Sequence, residues 1–455
     1  MLIYIEMSAN PEMNVQMNGG LADSLLQVNQ LSYRLPPQIS IASKCTHVIN
    51  YSQQSSYTSG SSNSSNTIVF DIQTGSAFVD PQASYFRFVV KPEGTTNLHC
   101  FGSGSVGNIF SRVVVRTATG KELSRVEDAN LIIKMLDLYE NSNDWKSTTG
   151  AAQGYYSGAV TAGTYAQAVP NAGKLFIIPF QTMMPCMSPH GAKLVPPNIM
   201  SGLRIELTLS APNDAFCCVD QKSALTSLAS FVVDGVEAHL KTHDLADAFQ
   251  RKIQEMSVGG LNYLYKEHFH NIVSPGTGST NANFDVKKAC SKAITARIMT
   301  RLAADLTASG KDHMASAKFN YTSHQAKIGS EYFPNAPLLI NGTPTANNVN
   351  EAYYYTLYAV DKLEKWNPTG VNPAEFLGGP LVTTAADTPN VYSSGIIAYN
   401  FNKSNVSDMA GYTISNSRSL LVDLQQANAE NVRIDVFLTF LRLAKVYQSN
   451  VVVLD

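Results

Sequence analysis

Two imidazoles separated by one residue, His268-Phe269-His270, fall on the same face of a segment that reads as a strand. Such a pair can suit a transition metal. No cysteine or carboxylate pattern nearby completes a ligand set, so the pair is expected to face solvent or an interface. His239 and His243 are four apart, but they straddle a strand-to-helix boundary where helical i,i+4 geometry need not hold, and no HExxH motif accompanies them. Cys217-Cys218 is open to a vicinal disulfide or a thiol site, although burial as small apolar side chains is the commoner use. Gly102-Ser103-Gly104-Ser105-Val106-Gly107 has the glycines of a phosphate-cradling loop. It lacks a Lys-Ser/Thr ending and opens no helix, so neither a P-loop nor a dinucleotide site follows. Gly395 and Gly378-Gly379 read as turn residues. There is no Gly-x-Ser-x-Gly elbow. Scattered carboxylates always permit a glycosidase pair, yet no spacing singles out two of them. The expectation is no catalytic residue, no metal ligand and no cofactor.

The elements that would position any such chemistry are strands. Charged residues make up only 15% of the 455, while 21 Tyr and 19 Phe accompany abundant Ser, Thr, Asn and Gly. That mixture suits pleated sheets with long polar loops. Net charge is −2 with no basic stripe, which argues against direct, sequence-specific grip on nucleic acid. No apolar run approaches the roughly 20 residues that cross a bilayer, and the start, MLIYIEMSANPEM, is a poor secretory signal. Cys45, Cys100, Cys186, Cys217, Cys218 and Cys290 make no CxxC pair, so free thiols are expected.

Strand-like segments run at 67–72, 84–90, 109–117, 174–180, 203–209 and 229–240. In 203–209 the alternation is cleanest, with Leu203, Ile205, Leu207 and Leu209 opposite Arg204, Glu206 and Thr208. Ser124-Arg125-Val126-Glu127 has the form of a capping box and predicts a helix over 125–140. A second helix is expected over 245–256, with Leu245, Ala248, Phe249, Ile253 and Met256 as its apolar stripe and Gly259-Gly260 as its stop. The second half repeats the order, with strands at 261–270, 292–303, 314–322, 395–401, 418–424 and 432–443 and a Tyr-rich helix at 352–360. The fold class is therefore all-β: two consecutive jelly rolls, each an eight-stranded β-sandwich, with short inserted helices and long loops. The expected organisation is an N-terminal arm (1–36), a first roll (37–242), a connecting helix (243–258), a second roll (259–448) and a C-terminal tail (449–455). That tail, Val451-Val452-Val453-Leu454, reads equally as an interface segment or as a last edge strand.

Four patterns recur in order: Phe176-Ile177-Ile178-Pro179-Phe180 before Val195-Pro196-Pro197 and the 203–209 strand; the strand–helix–strand run from Asp234 to Tyr265; Gly329-Ser330-Glu331-Tyr332-Phe333-Pro334 with Pro337; and Ser417-Arg418-Ser419-Leu420-Leu421-Val422-Asp423-Leu424 before Val432 to Arg442. In these the chain resembles the double jelly-roll major capsid proteins of virophages and polinton-like viruses, over about 35–455. The resemblance implies a structural protein of the virion, made inside a host cell, and not an enzyme. It implies a homotrimer forming pseudo-hexagonal capsomers of an icosahedral shell, with neighbouring capsomers, penton and minor capsid proteins as partners. The alternative is a glycan-binding or glycan-processing β-sandwich. A binder on a cell surface would carry a secretory signal, and a processing enzyme would carry a paired-acid, aromatic-lined cleft.

Overall fold

The computed structural model describes residues 44–454 apart from 61–65, 94–98, 102–103, 156–168, 189–193, 219–227, 246, 277, 308–311, 318, 346, 364–368, 378–394, 404–410 and 448–450. The arm expected at 1–36 lies outside the described residues, as do Gly378-Gly379.

The first half builds β1 (Lys44–Tyr51), β2 (Thr67–Ile72), β3 (Phe78–Glu93), β4 (Phe110–Arg116), β5 (Glu122–Glu127), β6 (Lys174–Pro179), β7 (Leu203–Leu209) and β8 (Ser230–Asp244). They form two antiparallel sheets ordered β1-β8-β3-β6 and β2-β7-β4-β5. The second half builds β9 (Leu261–Val273), β10 (Asn281–Val286), β11 (Cys290–Leu302), β12 (Tyr321–Ile328), β13 (Glu331–Leu339), β14 (Ile397–Asn400), β15 (Leu420–Gln426) and β16 (Val432–Val446). Its sheets are ordered β9-β16-β11-β14 and β10-β15-β12-β13. Adding eight to each strand of the first half gives the second, so both halves are jelly rolls of one topology. One continuous apolar core runs through both sandwiches. Phe70, Phe86, Phe88, Phe176 and Ile205 are buried in the first, and Val286, Ile298, Ile328, Val422 and Val436 in the second. Alternation explains this locally. In β7 the leucines and Ile205 point inward, while Arg204 and Glu206 pair outside at 3.0 Å.

Three helices of ten or more residues punctuate the strands: α1 (Ala129–Tyr139), α2 (Asp247–Val258) and α3 (Asn350–Ala359). The capping-box expectation is corrected. Residues 122–127 are a strand paired to β4 (Val113 with Val126), and Ser124 donates across to Glu267 instead of to a helix start. Helix α1 opens one turn later, after Asp128, whose left-handed backbone (φ 45°) breaks the strand and whose side chain makes no cap bond. The strand expected at 314–322 begins instead at Tyr321. Met314, Ala317 and Phe319 are buried there, but their stretch bonds to loop and strand carbonyls (Ala317 N to Thr300 O, Phe319 N to Leu377 O) and not to a ladder. Strand β8 runs past the expected boundary at 242 to Asp244. Of the two readings of the C-terminal segment, the strand is the one seen. Val451–Leu454 forms a strand, β17, whose Val451 faces Val446 of β16 and is buried.

Helix α2 buries Ile253 and packs Met256 against the shared core, below Leu245. The side chains of Ala248 and Phe249 lie outside the described residues. Gly260 (φ +84°) ends the turn with the Tyr447 ring where a Cβ would sit, at 2.8 Å. Ile253→Ala is expected to cost about 2–5 kcal/mol, read as a lower denaturation midpoint. An unchanged midpoint would show that α2 does not brace the two rolls.

Candidate functional site: the seam between the rolls

The two rolls meet where α1 and Asp128 of the first lie against the β9-β16-β11 sheet of the second. Asp435 is the fourth residue of β16, an inner strand of its sheet, and is fully buried. A carboxylate there costs several kcal/mol unless it is paired. Arg301 Nε donates to Asp435 Oδ2 at 2.8 Å, Arg433 lies 3.0 Å from Oδ1, and His270 Nε2 lies 3.1 Å from the same oxygen. The other nitrogen of His270, Nδ1, lies 3.1 Å from Asp128 Oδ2, which also meets Arg433 at 3.3 Å. With a carboxylate at each ring nitrogen, His270 donates from both and is an imidazolium. Burial alone would lower its pKa, but the bonds and charges of Asp128 and Asp435 outweigh that and raise it. Burial opposes ionisation of Asp435 too, yet His270, Arg301 and Arg433 hold it at about 2. Phe437 stacks under the imidazole, centroids 4.4 Å apart.

One strand position away the balance differs. Arg297 donates to Thr439 Oγ1 at 3.1 Å and to Glu140 Oε1, at the end of α1, at 3.0 Å. The Thr439 hydroxyl, which accepts from Arg297, also shares a hydrogen bond with His268 Nδ1, 3.0 Å away. Burial, with Arg297 beside it, pushes His268 down to about 3, and the ring is neutral. Glu267 accepts from Ser124 Oγ at 3.0 Å with Arg442 3.7 Å from its other oxygen, and burial pushes its pKa up to about 8. Tyr263 and Tyr265 hydroxyls donate to the carbonyls of Cys186 and Leu123 at 2.6 and 2.5 Å. Lys134 of α1 donates to the Met314 carbonyl, and Lys146, in the short helix Asn143–Ser147 that follows, donates to the Gly370 carbonyl.

His268 and His270 therefore serve the seam, and neither faces solvent. Asp128, His270 and Asp435 bring one ligand atom each within 4.8 Å of one another, an arrangement that resembles a metal site. Arg301, Arg433 and the imidazolium already supply more positive charge than the two carboxylates need, so a further cation is disfavoured. His239 and His243 lie on β8, a strand, where no helical pairing arises. Cys217 is buried, with its sulfur 3.4 Å from that of Cys100 on the facing chain segment. The side chain of Cys218 lies outside the described residues. Val106–Ile109 is a buried 3-10 turn rather than a phosphate loop, and Gly395 leads into β14.

A cleft of about 360 Å³ opens along the seam between α1 (Ile132, Ile133, Leu136, Glu140) and the second roll (His268, Arg297). Among its lining residues Glu140 is the only carboxylate, and none is Tyr, Phe or Trp. The two acids that glycoside chemistry needs are not there. Sequence reading missed Asp128, Glu267, Arg297, Arg301 and Asp435. One signal was available, namely charges set inside otherwise apolar strands, as Asp435 is in Val432–Val446.

No family model matches the chain, and no curated protein matches its sequence. Its structure does match. The capsid of PBCV-1 virus superposes with a TM-score of 0.57 at 11% identity, over 91% of this chain and 97% of that one. The Faustovirus major capsid protein gives 0.55 at 9%, over 91% and 92%. The Sputnik virophage structure gives 0.55 at 10%, over 90% and 88%. The fold is the double jelly roll of viral major capsid proteins.

The seam of the double jelly roll carries a pH dependence. His270, raised above 6.5, contributes stability that is full below that pH and is lost as pH climbs through its folded pKa. Glu267, raised from 4.5 to about 8, acts in the same direction. Asp435, depressed from 3.8 to about 2, contributes stability that is lost only as pH falls below 3.8. The denaturation midpoint is expected to fall from about pH 4.5 to about pH 8 through Glu267, with His270 steepening the fall above pH 6.5, and His270→Asn should remove that steepening and leave the part due to Glu267. Equal slopes would remove His270 from its protonated role. Asp435→Asn should cost about 3–5 kcal/mol by leaving the arginines uncompensated.

Proposed function

We propose that this chain is the major capsid protein of an icosahedral virus, working by assembly within the virion shell. The observation that carries this reading is the repetition of one jelly-roll order in two halves locked by a buried seam, the fold of the PBCV-1, Faustovirus and Sputnik structures. The rolls, joined through α2, act as one building block with two near-equivalent sandwiches. Three copies then present six, the number a pseudo-hexagonal capsomer requires. Exposed apolar side chains support association, among them Ile49 and Tyr51 on the edge strand β1 and Leu175 on the edge strand β6. Neighbouring capsomers, penton and minor capsid proteins complete the set of partners. Among the described residues no helix is long and apolar enough to cross a membrane.

Light scattering on the purified full chain is expected to give three times the 49.3 kDa of the monomer, and negative-stain images should show hexagonal particles. A monomer at micromolar concentration that forms no lattice would defeat the proposal. Deleting residues 1–30 should leave a soluble trimer with a nearly unchanged melting temperature while lowering the yield of closed particles. Loss of the soluble trimer would place the arm in the fold.

A further inference from the structure

The outer face of the β1-β8-β3-β6 sheet, away from the seam, holds a second histidine pair that lies 192 residues apart in sequence. His47 on β1 and His239 on β8 bring Nε2 and Nδ1 to 3.3 Å. A tetrahedral zinc ion with Zn–N bonds of about 2.0–2.1 Å holds its nitrogens roughly 3.3–3.4 Å apart. The rings are tilted by 34° with centroids 5.1 Å apart, so the two nitrogens face each other across a gap of ligand–ligand size.

The surroundings of His239 are those of a metal ligand. Its Nε2 lies 2.9 Å from Glu237 Oε2. Glu237 is also tied to Arg87 at 3.0 Å and is thereby kept anionic, so the histidine donates from Nε2 and presents a lone pair at Nδ1. A carboxylate behind a histidine, fixing tautomer and orientation, is the usual outer partner of a metal-bound imidazole. Tyr85 of β3 stacks flat on the same ring, at 4.8 Å and 9°, which holds its plane. His239 is thus seated from behind, while His47 stands exposed on an edge strand and leaves an entry path from solvent. Lys241 is opposite His47 in register, and its flexible stem can carry the ammonium to water.

We propose that His47 and His239 form a two-histidine clip for a borderline divalent transition metal, zinc, nickel or copper, with the remaining positions taken by water. Imidazole donors select these ions over magnesium and calcium. Without metal, His47 donates from Nε2 to His239 Nδ1. With metal, His47 carries its hydrogen on Nδ1 and both facing lone pairs bind the ion, with no net proton released at neutral pH. The site does not depend on the capsid reading.

The test is calorimetric titration of the full-length, EDTA-stripped protein with zinc chloride and nickel chloride at pH 7.5. The expected result is one equivalent bound at this site, with affinity falling at least tenfold in His47→Asn and in His239→Asn. Glu237→Gln, which keeps an acceptor but loses the charge, should weaken binding about 10–100-fold. His47→Asn, exposed on its edge strand, should keep the melting temperature of the wild type in EDTA, which separates loss of ligand from loss of fold. No binding at millimolar zinc overturns the proposal. Binding that both histidine substitutions leave unchanged also overturns it and assigns the metal elsewhere.

Discussion

Asp435 puts a full negative charge on a central strand with no water to receive it, and much of the molecule is arranged around that fact. Its own sheet supplies Arg301, Arg433 and His270, one of which also needs a partner from outside the sheet. That partner is Asp128, the last residue before α1, so the first roll completes the neutralisation of a charge buried in the second. The docking of α1 is the consequence. With Asp128 bound at the start of the helix, Glu140 at its end reaches Arg297, and Lys134 reaches the Met314 carbonyl. The contact is specific because misplacing it would strand charges, whereas a purely apolar contact would tolerate sliding.

The apolar core and the polar groups of the seam obey different chemistry. The core that runs through both sandwiches is aromatic and aliphatic, and burial of that area drives folding. Across the seam, tyrosine hydroxyls of the second sandwich donate to backbone carbonyls of the first, Ser124 donates to Glu267, and Arg297 donates to Glu140. A polar contact of this kind adds less net stability than an apolar one of equal size, but it defines one relative placement. For a building block that must tile, one fixed placement of two sandwiches matters more than a larger free energy.

The legibility of the chain follows the same division. Alternation reports which face of a strand is buried, so Leu203–Leu209 and Thr67–Ile72 could be bounded to the residue. Where a local signal competed with a ladder, the ladder prevailed, as at Ser124 and Glu127, because pairing with β4 satisfies a whole row of backbone groups and a capping box only two. The 314–322 stretch shows the converse, burial without pairing, which periodicity cannot distinguish from a strand. The seam was legible only in part. Its histidines stood out by spacing, but their partners lie 165 and 171 residues away, and the His47–His239 pair is further apart still. Distances of that kind are properties of the topology and not of any window of sequence.

Asp128 carries two demands that are usually met by different residues. Its backbone lies in the left-handed region, which glycine enters freely and asparagine and aspartate with little penalty, and which most other side chains resist. Its side chain must also bring an anion to His270 and Arg433. Glycine satisfies the first demand and glutamate the second, while asparagine gives the geometry without the charge. Among the twenty amino acids only aspartate answers both, so the junction between the two sandwiches hangs on a position with almost no freedom to drift.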